Sequence, residues 1–179
     1  MAQFLLYIFI LILIILVFGT AAYAGFLAAP WVPVWKKDIK RILKLADIKD
    51  NDLIYDLGSG DGRVVCAVAN NSKARVVGYE ISFMPYLWSK MKIRFSRCSK
   101  RVEIRYGDFL KKDLSQANTI FCFLTPMAME KLAPKFRNEL KPGTKVISYS
   151  FSLPDWTVKT IDKPDQKSNP IFYYEVPRG

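Results

Sequence analysis

Hydrophobic positions fall along this chain in two regimes. The first is an uninterrupted apolar run, FLLYIFILILIILVFGTAAYAGFLAA, over residues 4–29. As a helix it would extend about 39 Å, enough to cross a hydrocarbon core of about 30 Å with some tilt. The second regime alternates short strand-like runs with amphipathic helical runs. LIYDL reads as a strand and RVVCAVAN as a helix; ARVVGYE is a strand and FMPYLWSKMKIRFSRC a helix. RVEIRYGD and ANTIFCFL follow as strands, PMAMEKLAPKFRNEL as a helix, and TKVISYSF as a strand after a KPG turn. Strand–helix alternation predicts a parallel α/β sheet. The last two runs, TVKTIDK and PIFYYEV, are separated by a polar, proline-containing turn and predict an antiparallel hairpin on the sheet edge. The expected fold is a Rossmann-like α/β sheet, mostly parallel, preceded by one N-terminal transmembrane helix. The domains divide as 1–35, a membrane anchor, and 36–179, a folded domain.

Charge sharpens the division. The first 35 residues hold no Asp, Glu, Lys or Arg, so the net charge of +11 belongs to the rest of the chain. MAQ supplies no basic leader before the apolar run, which favours an anchor; Ala22-Tyr23-Ala24 is the feature that would suit a cleaved signal instead. Lys36, Lys37, Lys40, Arg41 and Lys44 follow the run, and this asymmetry predicts a single-pass protein with its domain in the cytoplasm. Those residues belong to VWKKDIKRILKLADI, an amphipathic helix with Ile39, Ile42, Leu43 and Ala46 on one arc and the five basic residues opposite. The basic arc suits both solvent and anionic headgroups.

Composition excludes several chemistries. With no histidine, Ser-His-Asp and Cys-His mechanisms and His-ligated metals fall away. Cys66, Cys98 and Cys122 are far apart in sequence and show no CxxC spacing, so they read as small buried hydrophobes, with no metal expected.

The candidate chemistry lies in NDLIYDLGSGDGRVVCAVA, where a strand ends in Asp56 and glycines follow at 58, 60 and 62 before a helix. Glycines let backbone approach a ligand closely, and helix N-termini favour anions. A dinucleotide fingerprint starting at Gly58 needs glycine at position 63, where the chain has Arg63. An acid at the strand end would also repel a pyrophosphate. Asp56, Gly58, Ser59, Gly60 and Gly62 suit S-adenosylmethionine better, because its amino-acid end is zwitterionic, its sulfur is cationic and it lacks phosphate. Glu80 ends the next strand about 22 residues after Gly58, where an acid can accept both ribose hydroxyls. Asp108 ends the third and can accept from an adenine amino group; each acid alone also suits ordinary helix capping.

DLGSGDGR, GYE and GD in this order resemble the class I S-adenosylmethionine-dependent methyltransferases. APWVPVWKKDIKRILKLADI, FCFLTPMAMEKL and VISYSFSLPDW narrow the resemblance to small membrane-anchored protein lysine methyltransferases, whose eukaryotic members act on the ATP synthase c subunit and the adenine nucleotide translocase. The likeness covers about residues 29–156, and Pro30-Trp31-Val32-Pro33 is its most specific element. It implies cofactor contacts at Asp56, Gly58, Gly60 and Glu80, an adenine contact at Asp108, and a protein substrate bearing an acceptor lysine. The first residues lack Arg, so a prokaryotic relative is expected.

For the acceptor side, Thr125 and Pro126 end the fourth strand, where Thr125 can orient an amine or simply start a helix. Tyr149 and Phe151 can flank a methylammonium or pack in the core. Nucleic-acid amino methyltransferases often carry Asn/Asp-Pro-Pro-aromatic at that strand end, and this chain has Leu124-Thr125-Pro126, so nucleic acid is the less favoured acceptor. Lipid, quinone and RNA acceptors, and a non-catalytic membrane-bound binding module, are the rival readings.

Overall fold

The computed structural model describes residues 1–27 and 32–177. Pro30 and Trp31 of the Pro-aromatic-Val-Pro element lie outside them, as do residues 28–29 of the apolar run. Helix α1 (Ala2–Leu27) is followed by α2 (Lys36–Ala46), β1 (Leu53–Leu57), α3 (Arg63–Asn71), β2 (Arg75–Glu80), α4 (Phe83–Arg94) and β3 (Val102–Tyr106). Then come β4 (Thr119–Cys122), α5 (Pro126–Glu139), β5 (Lys145–Tyr149), β6 (Thr160–Asp162) and β7 (Ile171–Glu175). The seven strands lie in the order β3-β2-β1-β4-β5-β7-β6. The first five are mutually parallel; β7 runs antiparallel to β5, and β6 antiparallel to β7, which is the expected edge hairpin.

Side chains alternate across the sheet. Tyr55 and Leu57 of β1 join a core with α5 through Met129, Leu132 and Phe136. Ile54, on the other face, joins Ile42 and Ala46 of α2, Val64, Val65 and Val68 of α3, and Ile93 of α4. Asp56 follows Ile54 with the same parity, so an acid sits at the carboxyl end of the central strand on the α2–α3 face. The strand order reverses at β1, with β2 on one side and β4 on the other, and the crevice above that point is the usual ligand site of such sheets.

Helix α2 corrects one expectation. Arg41 does not join the solvated basic arc: its guanidinium is held by Asp38 (2.8 Å) and Asp162 (2.7 Å). The Asp38 carboxylate also accepts from the Tyr149 hydroxyl at 2.7 Å, and Asn169 Nδ2 donates to that hydroxyl at 2.7 Å. This network fastens α2 to β5 and the edge hairpin.

The cysteines are only partly as expected. Cys98 and Cys122 are buried, whereas Cys66 is half-buried with its sulfur 2.8 Å from that of Cys98. Burial, reinforced by Cys98, pushes the Cys66 thiol up to about 12, which disfavours the thiolate.

Over Ala2–Thr20 helix α1 is mostly solvent-facing. Its stretch Ala2–Thr20, mean hydropathy 2.8 and none of it buried, is long and apolar enough to cross a membrane. At the end of that stretch the Thr20 hydroxyl accepts from the Phe83 backbone N–H at 3.1 Å, at the first turn of α4, where Ser82 provides no side-chain cap.

Candidate active site

The glycine loop begins where β1 ends. Gly58, Gly60 and Gly62 take φ of +77°, +53° and +74°, a region closed to most side-chain-bearing residues. The loop folds over the end of β2: the N–H groups of Gly58 and Ser59 both donate to the Tyr79 carbonyl at 2.9 Å. Glu80 clamps the arrangement, since one carboxylate oxygen accepts from Gly60 N (2.8 Å) and the other from Ser82 N (2.7 Å). A carboxylate offers about four acceptor positions, so Glu80 retains capacity for two more donors.

The loop roofs a cleft of about 680 Å³, counting the solvent at its mouth. Asp56, Gly58, Ser59, Gly60, Glu80 and Ser82 supply its polar lining, and Val34, Ile81, Phe109, Phe123 and Leu124 apolar walls. Val34 is held there because its carbonyl accepts from Arg63 at 2.8 Å, while Arg63 is itself paired with Asp61 at 2.9 Å.

Two polar groups in this cleft lack partners among the described residues. The Ser59 hydroxyl is buried with no hydrogen bond. The buried Asp56 carboxyl has no hydrogen bond to stabilise its charge; burial, with the Glu80 and Asp61 charges adding, pushes it up to about 7. Such a group is completed by a bound cation that donates hydrogen bonds. The lining therefore fits S-adenosylmethionine: an acid facing a cationic ligand, an acid with free acceptor positions, and apolar walls beside them.

The sequence-predicted residues are not all brought together. Asp56, Gly58, Ser59, Gly60 and Glu80 line the cleft. Gly62 is outside that lining and serves close packing, since a Cβ there would stand 3.2 Å from Ile93 Cδ1 and 3.3 Å from Ser89 Cβ. Asp108 is also outside it, and its carboxylate accepts from Leu110 N at 2.9 Å, capping the 3-10 turn Phe109–Lys111. Thr125 is the N-cap of α5, accepting from Ala128 N, with Pro126 at the first turn; their neighbours Phe123 and Leu124 reach the cleft instead. Tyr149 lies beneath, buried edge-on against Phe123 with ring centroids 4.8 Å apart, its hydroxyl committed to Asp38. Phe151 is exposed.

Reading the sequence missed Gly78. It pairs in register with Asp56 and lies under the loop, where a Cβ would stand 2.7 Å from Ser59. A glycine inside a strand is the signal for such close backbone approach. Ile81 and Phe109 were missed too; Ile81 directly follows Glu80 at the end of β2, and Phe109 follows Asp108, two residues past the end of β3.

Comparison with known proteins agrees with this geometry. Residues 56–160 match the ANTKMT methyltransferase domain. The chain is 35% identical over 149 residues to a protein-lysine N-methyltransferase of Saccharolobus islandicus, covering 82% of this chain and 92% of that one. It is 31% identical over 132 residues to the adenine nucleotide translocase lysine N-methyltransferase of Mus musculus, spanning 73% of this chain but only 56% of the longer relative. Among solved structures, an RNA methyltransferase from Salinibacter ruber in complex with S-adenosyl-L-homocysteine superposes with a TM-score of 0.78 at 33% identity, covering 83% of this chain and 95% of that chain. The chain therefore belongs to the ANTKMT methyltransferase domain family, and is a methyltransferase that draws on S-adenosylmethionine.

Proposed function

We infer that this chain is a membrane-tethered protein-lysine methyltransferase whose acceptor is a membrane-associated protein. The observation that carries the reading is the glycine-loop cleft with its unpartnered Asp56, in a chain whose N-terminal helix is apolar, exposed and joined to the cleft side of the fold. The likeness to the Saccharolobus protein-lysine N-methyltransferase supports lysine as acceptor.

In this reading Asp56 and Ser59 hold the amino-acid end of the cofactor, Glu80 takes the ribose hydroxyls with its remaining acceptor positions, and Ile81 and Phe109 enclose the adenine. The cofactor, when bound, supplies a methyl group activated by a departing neutral thioether. Phe123 and Leu124 form the acceptor-side wall, excluding water and favouring a neutral lysine amine over its ammonium. Thr125 and Pro126 position that wall by starting α5, and Tyr149 backs Phe123. Alignment of acceptor and donor in such an enclosure supplies up to about 7–11 kcal/mol of the barrier reduction. The basic residues that follow α1 support a cytoplasmic domain.

The Salinibacter structure and the charge of +11 favour RNA as the second reading. One experiment separates the two. Purified protein and labelled S-adenosylmethionine are added to washed membranes and to total RNA from cells lacking the gene, with Asp56→Ala as control. Label in one membrane-protein band, mapped to lysine, is expected. Label confined to RNA or lipid moves the acceptor class, and equal label with Asp56→Ala removes the cleft assignment.

A further inference from the structure

Among the described residues, helix α4 buries only one side. Ser89 and Ile93 are its buried residues, turned toward the sheet. At about 100° per residue, Met84, Leu87, Trp88 and Met91, with Phe95 just past the helix end, fall on one arc roughly 100° wide on the opposite side. All five are exposed, Trp88 at 63% and Phe95 at 83%. Lys90 and Arg94 border this arc on one side and Lys92 on the other. The helix is joined to α1, within its apolar run, by the Thr20–Phe83 hydrogen bond.

We propose that α4 is a second membrane contact, lying in the plane of the bilayer surface with Met84, Leu87, Trp88, Met91 and Phe95 among the upper acyl chains and Lys90, Lys92 and Arg94 on anionic headgroups. The pattern is that of an interfacial helix: an apolar arc with an aromatic anchor and flanking basic residues. Continuity with α1, the apolar helix whose Thr20 hydroxyl receives the Phe83 N–H, together with the basic residues flanking the arc, selects lipid over other occupants. The inference rests on the tether reading and deepens it. Ile81 and Ser82, which line the cleft, immediately precede α4. A docked α4 therefore fixes the cleft rim at headgroup height and restricts acceptors to lysines close to the bilayer.

The test uses the full chain in phosphatidylcholine vesicles, with and without phosphatidylglycerol, containing a phospholipid with a photoreactive diazirine high in one acyl chain. Labelled residues are mapped by mass spectrometry. The expected result is label on α1 and on the Trp88 arc, the latter falling more than about fivefold in Lys90→Glu/Lys92→Glu/Arg94→Glu with α1 label unchanged. Label on α1 alone overturns the α4 contact and leaves the tether intact. Label on neither overturns the tether, and label on α4 alone overturns the tether while keeping the α4 contact. Cross-links between copies through Trp88, without lipid label there, make a second chain the occupant and overturn the proposal.

Discussion

Asp56 sets the chemistry of the cleft at the scale of one carboxyl. Burial raises it to about 7, against an unfolded value near 3.9. Between those values the ligand-free folded state holds a proton that the unfolded state has released. Asp56 thus favours folding below about pH 4 and loses that contribution as pH rises through about 7. Asp56→Asn removes the penalty: in thermal melts of ligand-free protein, the variant should melt higher than the parent at pH 8 and depend less on pH between 5 and 8. The same substitution should abolish cofactor binding in calorimetry, whereas the parent's affinity should tighten from pH 5 through about 7 and level about one unit above it. Identical melting profiles would remove Asp56 as the buried titrating group. Gly78 makes the neighbouring case by sterics. Gly78→Ala places a methyl 2.7 Å from Ser59 and 2.8 Å from Ile104. Displacing the loop should cost about 1–3 kcal/mol of stability and weaken cofactor binding; unchanged affinity would show that the loop yields without moving Ser59.

Among the elements, α2 shows what local pattern conveys and what it hides. Ile39, Ile42, Leu43 and Ala46 share an apolar arc legible from spacing alone, and Ile42 and Ala46 are buried. Arg41 read as one of a solvated basic arc, and Asp38 gave no signal at all, because their partners lie far along the chain, Tyr149 at 111 residues from Asp38 and Asp162 at 121 from Arg41. Tyr149 was legible as a residue near the site but not as the tie between β5 and α2, for the same reason. The glycine loop was legible because its conformation is local: consecutive residues dictate where positive φ is needed. Burial pushes the Asp38 carboxyl up, but its bonds from Tyr149 and Arg41 outweigh this and hold it below the ordinary value. Asp38 therefore contributes stability above its unfolded pKa of about 3.9, and that contribution disappears as pH falls through the lower folded value. Arg41→Met leaves Asp38, 2% exposed, without its cation. The expected loss in denaturant unfolding at pH 7 is roughly 3 kcal/mol. A loss below about 0.5 kcal/mol, the size of an ordinary surface change, would mean that Tyr149 alone satisfies the carboxylate.

At the scale of the whole molecule, the apolar N-terminal helix, the basic surface and the cleft must serve one acceptor, and the acceptor's own chemistry distinguishes the candidates. A lysine amine is about 10.4 in water and must be neutral to attack. In the proposed acceptor site the apolar wall of Phe123 and Leu124 would lower that value without a histidine base, since the chain has no histidine. The exocyclic amines of RNA bases are already neutral at pH 7. The two acceptors therefore predict different shapes above pH 7 at saturating cofactor, where bound cofactor holds Asp56 ionised. With lysine, kcat at saturating cofactor should climb from pH 7 to 9, approaching tenfold per unit while the amine remains mostly protonated. With RNA, kcat should be flat over that range, and binding should weaken steeply with salt. The Asp56 limb below pH 7 appears in the KM for cofactor and not in kcat, so the two titrations separate within one set of profiles. A rising kcat together with weak salt dependence is the outcome expected of the proposed membrane-held lysine methyltransferase, in which an anchor would supply the proximity that a nucleic-acid enzyme must obtain from its charge.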